Sequence, residues 1–247
     1  MKAICIVRKA RDIRYLSSLK VVGTHLEGDR IPCVVNEGDV RAIGLLKSGG
    51  LPWTAIAPEP LDNTIRTHLW VRGAETVLEL SGSAVIDSDE MELACRIATW
   101  IRSQGSEVQL VALGESEQDS GRRLLPALLA AELGWNIVRG VSAVTIHNDI
   151  ASLIVDTDAQ AKLEATLPLV LVAQESVDLG ADPSDEFDLI EKFEKNPAQL
   201  ISVSAQKRPL AQLRSLETPR ARQTQPVRPL KAEEIAQVAE QLLAGRG

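Results

Sequence analysis

The chain has 247 residues, 45% of them hydrophobic, which is enough to bury a full core in one large domain. Its formal net charge of −7 and its pI near 5.1 exclude the broad electrostatic attraction that non-specific binders of nucleic acid or anionic membranes rely on. One Tyr and two Phe leave little aromatic surface for stacking bases, and the basic clusters at 8–14 and 214–228 interleave none.

Cys5, Cys33 and Cys95 are odd in number and widely spaced, with no CxxC pair and no histidine at ligand spacing, so they read as buried thiols of a reducing compartment. The apolar run at the start gives way to charge at Arg8, too short for a secretory signal, and no run approaches the ~18 residues of a membrane span. A cytoplasmic protein without membrane insertion is the expectation.

In chain order, residues 3–7 predict a buried strand ending in the basic run 8–12. Short strands at 19–22 and 31–35 then flank a turn at 27–29, and residues 36–39 close that excursion. A helix over 40–47 stops at Gly49 and Gly50; a strand over 53–57, a helix over 61–72 ended by Gly73, and a strand over 76–80 follow. Asp87, Ser88 and Asp89 offer a cap for helical periodicity over 86–101, with Met91, Cys95, Ala98 and Ile101 on one side.

The stretch 108–135 carries the strongest functional signal. Residues 108–113 form an apolar strand ending at Gly114, and Leu124, Leu125, Leu128, Leu129 and Leu133 recur at helical spacing before Gly134. In the polar turn between them Asp119 or Ser120 can cap the helix, and Gly121 lets a ligand approach the backbone. Strand, glycine-bearing loop and helix start together present free N–H groups to a phosphate. Arg122 and Arg123 are expected in the first helical turn, where the macrodipole disfavours each cation by a few tenths to ~1 kcal/mol unless an anion sits nearby. The expected phosphate contacts are therefore the N–H groups of Ser120 and Gly121 and the side chain of Arg122; a solvated helix face is the plainer alternative for the arginines.

Strands alternating with helices of this length predict a doubly wound, mostly parallel sheet with its ligand site at the carboxyl ends of the strands, here Val7–Arg8, Ala57–Pro58, Leu80 and Leu113–Gly114. After Trp135 the pattern turns antiparallel, with strands at 141–147, 151–155 and 167–173 and a turn at Asn148 and Asp149. Periodicity weakens from Glu175; 178–188 is acidic, 214–229 is rich in Pro, Arg and Gln, and 231–244 closes the chain as an amphipathic helix. The expected division is an alpha/beta nucleotide-binding domain over 1–205 and a C-terminal arm over 206–247 that docks on a partner. His25, His68 and His147 lack nucleophilic or acidic partners at motif spacing, and GxSxG, HExxH and GxxxxGK[ST] are absent. The residues alone lead to an adenine-nucleotide-type binding domain without catalytic residues of its own.

Several motifs, in order, resemble the beta subunit of electron transfer flavoproteins. Leu113-Gly114, Asp119-Ser120-Gly121 and the run Pro126-Ala127-Leu128-Leu129 through Leu133-Gly134-Trp135 are similar to the family's Gly…Asp-Thr-Gly-Gln-x-x-Pro-x-Leu-Ala-x-x-Leu-Gly. Residues 4–12 stand where the family has Val-Lys-x-Val-x-Asp after its first strand, and Asn36-Glu37-Gly38-Asp39 with Ala42-Ile43 where it has Asn-Pro-Phe-Asp-Glu-x-Ala-Ile. Thr64-Ile65-Arg66-Thr67, Gly73-Ala74-Glu75, Leu167-Pro168 and residues 200–203 also fall in register.

The resemblance implies an adenine nucleotide alpha hydrolase-like fold that binds AMP structurally and pairs with an alpha subunit holding most of the redox FAD. Electrons would pass from a flavin-dependent dehydrogenase through that FAD to an acceptor. By family position Ile6, Asn36, Asp39, Ala57 and Gly114 complete the nucleotide pocket. The family's dehydrogenase-recognition loop falls at 177–182, with Val177 or Leu179 as its apolar anchor. Glu37, Gly38, Val40, Gly44, Leu45 and Arg122 depart from the family pattern, and the loop between Gly114 and Gly121 is short, so the site is expected to hold AMP, a second FAD or no nucleotide. Two other readings share the architecture: a single-chain nucleotide sensor of the universal-stress type, and a degenerate scaffold subunit without nucleotide.

Overall fold

Runs such as Trp53-Thr54-Ala55-Ile56-Ala57 offer no polar side to water, and a strand of that kind is stable only when covered on both faces. A computed structural model describes residues 2–12, 14, 20–22, 25–27, 31–81, 90–118, 121–156, 160–178 and 199–202. In chain order these form β1 (Lys2–Ile6), β2 (Lys9–Arg11), β3 (Lys20–Val22), β4 (His25–Glu27), β5 (Cys33–Val35), α1 (Glu37–Ser48), β6 (Trp53–Ala57), α2 (Asn63–Val71) and β7 (Thr76–Ser81). There follow α3 (Glu90–Ser103), β8 (Val108–Gly114), α4 (Leu125–Leu133), β9 (Asn136–His147), β10 (Ile150–Asp156), β11 (Gln160–Thr166), β12 (Leu169–Ala173) and β13 (Gln199–Ser202).

Nine of these strands make one sheet in the order β11-β10-β9-β12-β8-β1-β6-β7-β13. Every neighbouring pair from β9–β12 to β7–β13 is parallel, and β10 and β11 extend the sheet antiparallel. Side-chain alternation divides the core in two. Ala3, Cys5 and Val7 face a layer holding α1 and α2, while Ile4 and Ile6 face one holding α3 and α4. This is a mostly parallel sheet flanked by helices, as a doubly wound alpha/beta fold requires. Strand order reverses between β1 and β8, the position where such sheets open a crevice at their carboxyl ends. Among the described residues no helix is long and apolar enough to cross a membrane.

Several expectations are corrected. α1 starts at Glu37 rather than 40, and α2 at Asn63, because Asp62 caps it by accepting the Ile65 N–H at 2.9 Å. β5 pairs back onto β2, and β3 pairs with β4, so 19–22 and 31–35 do not form one hairpin. β12 is no part of the antiparallel addition; it runs parallel between β9 and β8, buried along its length. β11 is an extra strand that the polar sequence 160–166 did not announce. The turn at Asn148 and Asp149 is where the sequence puts it, both residues at positive φ (47° and 65°), as a tight hairpin turn demands. The arm over 206–247, Leu179, Asp119 and Ser120 lie outside the described residues.

Val177 is also corrected: it is 7% exposed and belongs to the core over α1, so it cannot serve as an exposed docking anchor. The loop leaving β12 lies so close to α1 that a Cβ on Gly44 would come within 2.6 Å of the Asp178 carbonyl oxygen and 3.3 Å of Val177 Cγ1. Arg41, one turn earlier, donates from Nη1 to the Glu175 carbonyl and to the Val177 carbonyl at 3.2 Å. Alanine would gain up to ~1 kcal/mol of helix propensity at Gly44, against about 1–3 kcal/mol for overpacking. Gly44→Ala is therefore expected to lower the urea midpoint at unchanged m-value; a raised midpoint would show that the loop yields freely.

Candidate functional site

The reversal point is built from the residues that leave the sheet there. Val7 still donates its N–H to the Ile56 carbonyl at 2.9 Å, so Arg8 is the first side chain free to turn across the end of the sheet. It turns inward and is 2% exposed. Nε reaches Asp39 Oδ2 at 2.9 Å and Nη2 reaches Oδ1 at 2.7 Å, a bidentate pair, and the Arg8 backbone N–H donates to Oδ2 at 3.0 Å. Asp39 Oδ1 accepts the Gly114 N–H as well, at 2.8 Å, and Arg8 Nη2 donates to the Gly114 carbonyl at 3.2 Å. One fully buried carboxylate thus binds the end of β1, the end of β8 and the first turn of α1 together.

Burial would lower the affinity of the Arg8 guanidinium for its proton, but the charge and hydrogen bonds of Asp39, with Glu117 and Glu90 behind it, more than offset this and raise its pKa. Nη1 has no hydrogen-bond partner among the described residues and faces Glu117 Oε1 at 4.0 Å. Burial, then the Asp39 charge, pushes the Cys5 thiol well above its ordinary value, with Arg8 pulling the other way; of the three thiols expected to be buried only Cys5 is, Cys33 being exposed and Cys95 half-buried.

Asn36 ties the loop after β8 to α1. Its Nδ2 donates to the Ser116 carbonyl and its Oδ1 accepts the Gln118 N–H, both at 2.9 Å, while Gln118 Oε1 accepts the Glu37 N–H at 3.0 Å. Beneath these bonds Gly38 and Gly114 meet backbone to backbone. A Cβ on Gly114 would lie 2.4 Å from the Gly38 carbonyl carbon and 2.6 Å from its Cα, so no other residue fits without parting α1 from β8. A cleft of about 280 Å³ remains on the α1 side, with Glu37, Arg41, Glu115, Ser116 and Gln118 in its walls.

On the opposite face α4 begins at Leu125, not near Gly121. Pro126 sets this start: it lacks an N–H, so it suits a first turn, whereas a helix begun at Gly121 would carry it in the interior. Arg122 and Arg123 consequently lie exposed in the irregular segment before the helix, and the macrodipole conflict expected of them does not arise. The helix end has no cap of its own. Glu90 supplies one from α3, its Oε1 accepting the N–H groups of Leu124 at 3.0 Å and Leu125 at 2.9 Å. The Gly121 N–H donates to the Glu117 carbonyl, and the Glu117 N–H to the Arg122 carbonyl, both at 2.9 Å.

Ile6, Asn36, Asp39, Ala57 and Gly114 thus gather, all buried, at the carboxyl ends of β1, β6 and β8 and the start of α1, while Gly121 and Arg122 lie exposed beyond them. Sequence reasoning placed Arg8 at a strand end on the ligand side but missed its burial against Asp39, and it missed Glu90 and Gln118. A charged residue directly after an apolar strand was the available signal for Arg8; Glu90, next to a stretch read as a cap, gave none. Among the described residues no group of three or more His, Cys, Asp or Glu could hold a metal ion.

Comparison with protein-family models finds no match for the chain, and comparison with curated proteins finds none. Fold and site together give a mostly parallel sheet flanked by helices, consistent with a doubly wound alpha/beta fold, at whose reversal point Asp39 and Glu90 accept the N–H groups of Gly114, Leu124 and Leu125.

Removing one member of a buried ion pair strands the other, at about 3–5 kcal/mol. Arg8→Met is expected to cost an amount in that range in urea unfolding, and Arg8→Met with Asp39→Leu to recover part of it. Losses that simply add would show the two side chains to be energetically independent.

Proposed function

We propose that this chain is a beta-type subunit of an electron transfer flavoprotein whose nucleotide crevice is filled from within, so that it supports a FAD-bearing alpha-type subunit without holding AMP. In this role it is an electron-carrier component with no catalytic residues, acting in the cytoplasm between a flavin-dependent dehydrogenase and an acceptor. The beta-type reading is supported by the meeting, at one point, of residues from three separated stretches of the resemblance: Arg8 from the first, Asn36 and Asp39 from the second, Gly114 from the third.

The observation that carries the filled crevice is the position of its carboxylates. A phosphate at the start of α4 would be attracted by the N–H groups of Leu124 and Leu125, which Glu90 already engages. The Gly114 N–H likewise serves Asp39. Binding AMP there would mean displacing one buried acid and accommodating a second anion beside the other, an exchange that leaves a buried charge without its partners. The ATP or AMP of the universal-stress reading would meet the same obstacle.

Expressed alone, the chain is expected to be colourless. Co-expressed with a candidate alpha-type subunit, it should purify as a yellow equimolar heterodimer whose flavin a dehydrogenase reduces and which releases FAD but no AMP on acid treatment. A yellow monomer carrying stoichiometric FAD would sink the beta-type reading. Stoichiometric AMP in the heterodimer would sink only the filled crevice, and a colourless monomer that binds ATP tightly would favour the sensor.

A further inference from the structure

The sheet ends at β11, which among the described residues pairs with β10 alone. Its seven residues pair in continuous register without a bulge, and none is proline. It therefore lacks the devices that commonly make an edge unfit for pairing, apart from the charges of Lys162 and Glu164. Across the last three strands one row is apolar: Val144 pairs with Leu153, and Leu153 with Leu163. Exposure along that row runs 3%, 1% and then 43%, so the row reaches the edge still apolar and stops uncovered. Ala165, on the same side of the strand, packs against the core.

The edge complements itself. If two copies of β11 lie antiparallel about a twofold axis at Leu163, each Lys162 faces Glu164 of the second copy, and Ala161 faces its Ala165. Side chains alternate along a strand, so the two Lys–Glu pairs fall on one face and the Leu163 pair with its alanines on the other. An isologous contact requires this, because every residue must find its partner in the same segment read backwards.

From this self-complementarity we infer that β11 is a homodimerisation edge, joining two copies of the chain into one continuous sheet. A seven-residue strand buries well under the roughly 1,000 Å² of a stable interface, so the dimer forms reversibly as concentration rises. The pairing needs neither nucleotide nor the alpha-type subunit, so in a co-purified heterodimer it doubles the whole complex.

The test is sedimentation velocity over a concentration series, on the full chain alone or with its partner subunit, however it purifies. Wild-type protein should shift from one copy to two. Lys162→Glu places glutamates opposite each other and Glu164→Lys places lysines opposite each other; each should raise the dissociation constant about tenfold, since both symmetric pairs change sign. Both positions are exposed, so the fold should be retained, as circular dichroism would verify. Mixing the two single variants restores both Lys–Glu pairs, and the mixture should dimerise like the wild type. A single copy at every concentration, unaltered assembly in both variants, or a mixture that fails to recover would each overturn the inference. So would protection of β11 from hydrogen exchange in a heterodimer that does not double, because the edge would then belong to the other subunit.

Discussion

The bidentate pair between Arg8 and Asp39 is the constraint on which this molecule depends. A guanidinium and a carboxylate withdrawn from water each lose hydration worth several kcal/mol, and that loss is tolerable only where geometry and further hydrogen bonds are good. Here they are good: Asp39 collects three donors from Arg8 and one from Gly114, and those donors belong to different segments of the chain. The pair therefore fixes where α1 begins, how β8 ends and how closely the two approach. Its main effect is on specificity, since a shifted register of α1 against β8 would leave a buried charge alone.

The same logic recurs on the other face of the sheet, where Glu90 from α3 takes the place that an anion favours at the start of α4. Reversal-point crevices bind ligands because they leave unsatisfied N–H groups and a positive helix end exposed together. This chain satisfies those groups with its own acids.

What the sequence revealed and what it hid follow from the range of the interactions involved. The strand over 53–57 is legible because five consecutive buried side chains need no outside information, and Gly134 is legible because a left-handed residue (φ 69°) ends α4 locally. The burial of Arg8 is not legible: within a run of basic residues it looks like solvated surface, and only Asp39, 31 residues away, makes its position bearable. Val177 misled for a related reason, an apolar residue in a polar loop being equally consistent with an exposed anchor and with a plug into the core over α1. β11 escaped notice because Gln-Ala-Lys-Leu-Glu-Ala-Thr shows little apolar alternation, and its strand state is imposed by pairing with β10.

The contact of Gly38 with Gly114 sets how the crevice can move. Where α1 meets β8, main chain rests on main chain, and no torsion of a side chain parts the two. Opening would require α1 to travel as a rigid lever. Because Arg41 on that helix holds the carbonyls of Glu175 and Val177, the same stroke would carry with it the exit of β12, so that the crevice and the surface beyond it share a single mechanical degree of freedom.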